Sequence, residues 1–428
     1  MEERIAIQPD IIHKNPNQPI EFYSGPVSLE SEGNSHQHEG TGNYHWHPVP
    51  CIKFHLDLKT SQNLFSKNLH LNHDLISNPI QFSLIRTSGD KAVGYGFGPY
   101  LMGQESDQLD YIKFHFTNFR SFSGKASVDG NSKNYGNSLK LRYEDYIIEI
   151  QYKAVHESIT LLKDEGGFLI TTVGTIRKKN GTFSFEQCSQ TLEAFTAFIS
   201  FFNGLKVKPV FIHGFKEEKI IFRKYSIETD IHKYRGTESW MPRRIDEEML
   251  NVAWQRFAEL WKQEDERHIL DLSIHWYLEA LITPQIESAI ILAQTSLESI
   301  ASLYLKGSPS NQFNRNTSAE GKLNSIFGRN QINKKIPANL TDLVAFATTH
   351  TKNNGAAVLT TIRNTVAHSD PHNISLFKQL TYETNSQALS LALYYFDVLL
   401  LKWLGYKGTI HSRVADRKNN ILEEESLA

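Results

Sequence analysis

The sequence predicts an α+β multidomain protein, a mostly antiparallel β domain with one helix followed by an all-α bundle. Two observations carry this reading. Apolar residues alternate with period two up to about residue 225, and they recur at three-and-four spacing from about residue 247 onward. The chain has 428 residues, about two or three domains by length, and is 40% hydrophobic and 11% aromatic, ample for globular cores.

The first half justifies its strands one by one. Ile52, Phe54 and Leu56 alternate with Lys53, His55 and Asp57, and Ile112, Phe114 and Phe116 alternate with Lys113, His115 and Thr117. Each set marks a half-buried strand. Further strand-like runs are Ile80–Arg86, Ser138–Tyr143, Tyr146–Tyr152, Phe168–Arg177, Lys208–His213 and Lys219–Tyr225, divided by turn-forming clusters such as Asp129-Gly130-Asn131-Ser132. One helix interrupts them at Glu186–Phe202, where Leu192, Phe195, Phe198, Ile199 and Phe202 form a stripe that Gly204 ends.

The stretch His232–Asp246 has neither period and reads as a linker. It separates a β-rich domain over 1–231, suited to sensing or substrate selection, from a helical domain over 247–408, with a basic then acidic polar tail at 409–428. The helices expected are Glu247–Lys262, Asp265–Leu281, a helix with Thr283 as N-cap and Pro284 at its first position running to Gly307, and two more near Asn354–His368 and Tyr382–Leu404. Ser308–Arg329 reads as a surface loop with room for one short helix, and the bundle as five or six helices.

Several function classes drop out on composition. With Lys+Arg 45 against Asp+Glu 47 the charge is 45 − 47 = −2, so nothing announces an extended nucleic-acid binder. Only Cys51 and Cys188 occur, which excludes a disulfide framework or a CxxC zinc module and fits a reducing, cytoplasmic setting. No signal peptide opens the chain, and the best membrane candidate, Ala388–Leu404, is short of about 20 residues and carries Asp397 and Lys402. It reads as a helix buried on most faces, against its own domain or a partner chain.

Phosphate-binding glycine loops, HExxH and GxSxG are all absent from the sequence. What remains is Arg363-Asn364-Thr365-Val366-Ala367-His368, near the end of a predicted helix and followed by Pro371. With 16 Arg and 18 His, chance supplies about 0.7 R-x4-H matches; demanding Asn after the Arg lowers that to about 0.05. On a helix Asn364 and His368 share a face, with Arg363 beside them. An imidazole can take the proton of a ribose 2′-hydroxyl while a guanidinium stabilises charge on phosphate, so RNA cleavage is within reach of this set. The alternative is that His368 only caps the helix C-terminus, where an imidazolium is favoured by the dipole.

The string RNTVAH, the earlier segment AIILAQTSLESI (Ala289–Ile300) and the ending LALYYFDVLLLKWLGYKG (Leu391–Gly408) together resemble the Apea-like branch of the HEPN family over about Arg243–Gly408. EAFTAFISFFNGLKVKPVFIHGF (Glu193–Phe215) resembles the segment closing the β-rich N-terminal domain of such proteins. The resemblance implies a dimeric, metal- and cofactor-independent endoribonuclease, acting on RNA such as tRNA in abortive-infection defence against phage and released by a phage-derived trigger. It implies Arg363 and His368 as the catalytic pair, Asn364 as the polar residue after the Arg, and Glu298 as a supporting acid. A homodimer would bring two copies of the pair together, with Tyr395 and Leu400 among the apolar residues left for the interface. The rival is a non-catalytic dimer that binds RNA or nucleotide while the β domain senses a ligand.

Two further constellations stand apart. His36, His38, His45 and His47 form two H-x-H pairs, SHQHE and YHWHP, which a hairpin would present as four imidazoles for a metal, although no spacing matches a standard zinc signature. Lys402, Lys407, Arg413 and Arg417 cluster after the last helix and suit a phosphate backbone.

Overall fold

The computed structural model describes residues 4–31, 34–47, 49–58, 69–73, 76–128, 134–227, 230–306, 317–415 and 423–427. The chain divides into two compact units, Met1–Leu192 with Val207–Gly236 and Glu193–Lys206 with Thr237–Ala428. The first is β-rich and the second helical, as the change of period predicts.

The β-rich unit opens with a closed antiparallel barrel. Its strands are β1 (Ile20–Ser31), β2 (Asn34–His45), β3 (Cys51–Asp57), β4 (Leu69–Asn72), β5 (Ile80–Ser88) and β6 (Lys91–Phe97), in the order β1-β2-β3-β6-β5-β4. Val27, Tyr44, Ile52, Phe54, Leu71 and Phe82 fill it. The inward positions alternate large with absent side chains: a Cβ on Gly94 would collide with the Phe82 ring. β2 escapes prediction for this reason, since its inward positions include Gly40 and Gly42 where a hydrophobic period would need bulk, and the period of β1 is broken by the register shift between Glu21 and Tyr23.

The second layer of this unit is an antiparallel sheet of β7 (Tyr100–Met102), β8 (Tyr111–Thr117), β9 (Lys125–Val128), β10 (Asn134–Tyr143), β11 (Tyr146–Tyr152), β12 (Ile170–Lys178), β13 (Pro209–Lys216) and β14 (Lys219–Tyr225), in the order β7-β14-β13-β8-β12-β11-β10-β9. Between β11 and β12 lies α1 (His156–Glu165), which was not expected: only Ser158 and Leu162 of it are buried, too few to give a stripe. After β12 comes α2 (Phe185–Asn203), matching the expected helix to within a residue at each end.

α2 changes allegiance along its length, and from Glu193 it belongs to the helical unit. There Phe195 and Phe198 pack on Trp254, Phe198 on Phe257, and Phe201 on Tyr277 and Phe396. The connection 232–246 has no regular structure but is no loose linker, because Trp240 is fully buried against Phe201, Phe202 and Tyr406.

The helical unit continues with α3 (Glu247–Lys262), α4 (Glu264–Ile282), α5 (Ile286–Lys306), α6 (Ala319–Arg329), α7 (Thr341–Thr349), α8 (Gly355–Ala367), α9 (Pro371–Phe377) and α10 (Tyr382–Trp403), then a two-stranded sheet of β15 (Thr409–His411) and β16 (Glu424–Ser426). These exceed the five or six helices expected; α6, α7 and α9 are short and bury only a few side chains each. α6 is the short helix allowed for within the loop, capped by Ser318, whose side chain accepts from Gly321 N at 3.1 Å. Thr283 does not cap α5. Its hydroxyl bonds back to Glu279 O at 2.7 Å and so closes α4, a local competition that the side chain wins.

α10 is buried on most faces within its own unit, and Tyr395 and Leu400 are both 0% exposed in the single chain. The expectation that they would be left over for a partner is thereby corrected, since helices of the same unit already cover them. Among the described residues one helix, Ile286–Leu305 of α5, is long and apolar enough by length and composition to cross a membrane, and 56% of that window is buried inside the structure.

The 409–428 segment is likewise not a free polar tail at its start. Arg413 Nε donates to Asp397 Oδ2 at 2.6 Å, and its Nη2 donates to Tyr277 Oη at 2.8 Å and Glu238 O at 3.1 Å. Burial pushes the Asp397 carboxyl above its ordinary range, against the pull of the Arg413 guanidinium.

Candidate functional site

The Arg-Asn-x-x-x-His string falls at the end of α8, and the local sequence dictates why the helix stands there. Asn354 is the N-cap, its side chain accepting from Ala357 N at 3.0 Å. Gly355 follows where a Cβ would strike the Tyr395 ring, so the close approach of α8 to α10 requires glycine. Ala356, Val358, Leu359 and Ile362 face the core. The helix stops after Ala367: Asp370 accepts from His372 N and Asn373 N at 3.1 Å as the N-cap of α9, with Pro371 at its first position.

Arg363 and Asn364 are brought together. Arg363 Nη1 donates to Asn364 Oδ1 at 3.0 Å, and the Arg363 Nε is buried with no hydrogen-bond partner. His368 is exposed and lies beyond the helix, as its C-cap, with extended backbone at φ −124 and ψ 137. Its N–H still reaches Asn364 O at 3.0 Å. The expected sharing of a helix face by Asn364 and His368 therefore does not apply, because the face ends one residue before the imidazole.

The α5 helix lies alongside. Gln294 Nε2 donates to Thr360 Oγ1 of α8 at 3.2 Å, and Glu298 sits one turn further along α5 with its Oε1 buried and unpartnered. Gln294 Oε1 is buried without a partner as well. A guanidinium edge, an amide oxygen and a carboxylate oxygen are thus all unsatisfied in the α5 and α8 side chains, where buried polar atoms ordinarily find partners.

The remaining candidates scatter. Lys402 is half-buried in the last turn of α10 and Lys407 is exposed, while Arg417 lies outside the described residues. Arg413, expected to face phosphate, is corrected to a core residue by its ion pair with Asp397. An acid inside the apolar run of α10 was the legible sign of that pair.

The histidine hairpin does not form. His36, His38 and His45 share the single strand β2, with His47 just beyond it, and His38 is about 23 Å from His45 along the strand. By strand parity the even-numbered pair faces inward with Gly40, Gly42 and Tyr44, and the odd-numbered pair faces outward. Among the described residues no group of three or more His, Cys, Asp or Glu side chains is placed to hold a metal ion.

Two cavities stand out. One of about 660 Å³ at the junction of α3 and α4 is lined by Glu264, Asp265 and Asp271 beside Arg267 and His268. Its acidic excess is ill suited to phosphate. The other, of about 410 Å³, belongs to the β-rich unit and is lined by His13 and His115 among others. Sequence reading passed over that region, since its polar side chains come from separate segments, from His13 to Thr172, and share no motif.

Residues 104–237 match the family described as the YopA central domain, and residues 263–424 match the YopA C-terminal domain. A relative in Bacillus subtilis (strain 168), the "SPbeta prophage-derived uncharacterized protein YopA", is 24% identical over 438 residues, covering 96% of this chain and 95% of that protein. No solved structure matches. These findings overturn the resemblance to Apea-like HEPN proteins, because the segments that carried it fall within the two YopA matches. Apolar helical stretches such as 289–300 and 391–403 are what any all-α core requires, and they lent that resemblance more weight than they could bear. Over its central and C-terminal parts, in that order, the chain is similar to YopA.

Proposed function

We propose that the chain cleaves RNA at the end of α8. The observation that carries this reading is the Arg363–Asn364 hydrogen bond at 3.0 Å next to an exposed imidazole that begins a new backbone direction. The amide oxygen holds one edge of the guanidinium and leaves other N–H groups to donate to a phosphate. His368 takes the proton of a ribose 2′-hydroxyl, the 2′-oxygen attacks phosphorus, and the bond to the 5′-oxygen breaks as that oxygen takes a proton from water, whose hydroxide then takes the proton back from His368. The products are a 2′,3′-cyclic phosphate and a 5′-hydroxyl. Arg363 stabilises the charge that grows on the phosphate oxygens. A role in stopping phage growth is supported by the prophage origin in the relative's name, since a resident prophage gains when a second phage fails.

The test is direct. Cleavage survives EDTA, and His368→Ala or Arg363→Ala lowers the rate by at least about a hundredfold with folding retained. End sequencing of RNA from cells expressing wild type beside His368→Ala reads the same chemistry. Undiminished cleavage by the His368 variant sinks the proposal. A second reading, RNA binding without cleavage, is favoured by the position of His368 as a C-cap, where the histidine has a structural role already. It expects equal binding and no product from both proteins.

A further inference from the structure

The segment Pro9–Asn15 has no regular structure, yet it is fixed at several points. Asp10 Oδ1 accepts from Lys113 Nζ at 2.6 Å, and its Oδ2 lies 2.9 Å from His213 Nδ1, whose Nε2 is 2.8 Å from Tyr225 Oη. Further along, Ile170 N donates to His13 Nδ1 at 3.1 Å and Ser158 Oγ donates to Lys14 O at 2.6 Å. The segment is therefore a wall held against β8, β12, β13 and α1. Beneath it is the cavity of about 410 Å³, within the range of small-molecule sites.

The cavity is chemically two-ended. Its rim is apolar and wet, with Ile12 72%, Val155 58% and Leu161 39% exposed, three large hydrophobic side chains beside one opening. Isolated exposed apolar residues need no explanation, but a cluster at the mouth of a cavity does. Among the residues lining the interior is His115, 0% exposed. Its Nδ1 is 3.4 Å from Phe211 O on β13, which fixes the proton on that nitrogen. The Nε2 on the opposite edge of the ring is a buried lone pair with no partner. Burial holds this imidazole down to about 3, so it is an uncharged acceptor.

We infer that the β-rich unit binds, in this cavity, a small, largely apolar, uncharged molecule bearing one N–H or O–H donor. The donor bonds His115 Nε2 and the apolar body lies under Ile12, Val155 and Leu161. An anion finds no partner at His115, because the imidazole offers no proton at that edge and no charge. An all-carbon ligand would leave the buried acceptor unsatisfied, which costs about as much as the hydrogen bond it replaces.

The experiment uses the full chain and two matched pairs of probes at millimolar concentration, indole with 1-methylindole and 4-ethylphenol with 4-ethylanisole. In each pair only the donor differs. Calorimetric titration is expected to show one saturable site per chain for at least one donor, with its capped analogue about tenfold weaker. His115→Phe, which removes the acceptor and keeps the volume, makes the pair bind alike. Val155→Trp alters an exposed rim residue, leaves the melting temperature within about a degree, and weakens the donor at least about tenfold by narrowing the mouth. Absence of saturable binding by both donors overturns the inference, and so does equal binding of each pair by wild type or unchanged binding by Val155→Trp. RNA cleavage at α8 is read separately, so neither result decides the other.

Discussion

Asp397 and Arg413 show what one residue can decide. Both are buried, and the pair joins the middle of α10 to the segment after it at 2.6 Å. Removing one partner strands the other charge in the core, whereas removing both leaves a packing problem only. Arg413→Leu or Asp397→Leu alone is expected to lower unfolding free energy by about 3–5 kcal/mol, and the double replacement by clearly less, as read from urea midpoints. At the same scale, burial depresses His13 to about 4 and His115 to about 3, below the ordinary 6.5 of the unfolded chain. An unfolded chain then binds protons that the folded one refuses, so stability is full above about pH 6.5 and falls as the pH drops through the interval toward 4. Asp10, Lys113 and His213 surround His115 and set the details. Urea midpoints at pH 7.5 and 5 are expected to differ, and His13→Gln to flatten the slope between them, since a neutral amide cannot be protonated there.

Among the elements, α8 has the sharpest requirement. Ordinarily Gly→Ala inside a helix stabilises it by about 0.5–1 kcal/mol. At Gly355 the opposite is expected, because the added methyl would drive Tyr395 off its place at the α8–α10 contact. Thermal denaturation of Gly355→Ala reads the sign directly. Elements with strong periodicity were legible: β11, β14 and α3 fall on their expected residues, since alternating or three-and-four spaced apolar side chains record which face meets a core. The long strands β1 and β2 were not, because a register shift between Glu21 and Tyr23 breaks the first and inward glycines erase the period of the second. For the site, the string at Arg363 could be found in the sequence, but its shape could not. Asp370 and Pro371 start α9 so soon after α8 that His368 is turned off the helix, a contest between neighbouring caps that spacing alone does not resolve.

For the whole molecule, the boundary between units lies inside a helix, which no change of period could announce. Phe195, Phe198 and Phe201 complete the core around Trp254, Phe257 and Phe396. A fragment beginning at residue 237 lacks them, and by the cost of deleting large buried aromatics it is expected to be insoluble or molten. Measured by near-ultraviolet circular dichroism, a sharp native signal from that fragment would refute the division.

The anchoring of Asp10 on His213 spans 203 residues of sequence. During synthesis this segment leaves the ribosome well ahead of β13, and its carboxylate has nothing to grip until that strand has followed it out. Such a long-range closure is paid for late in folding, after the sheet that receives it is in place. The wall of the cavity is thus made well before the strand that seats it, and a molecule that fits the cavity would act as a final clasp on a finished β-rich unit.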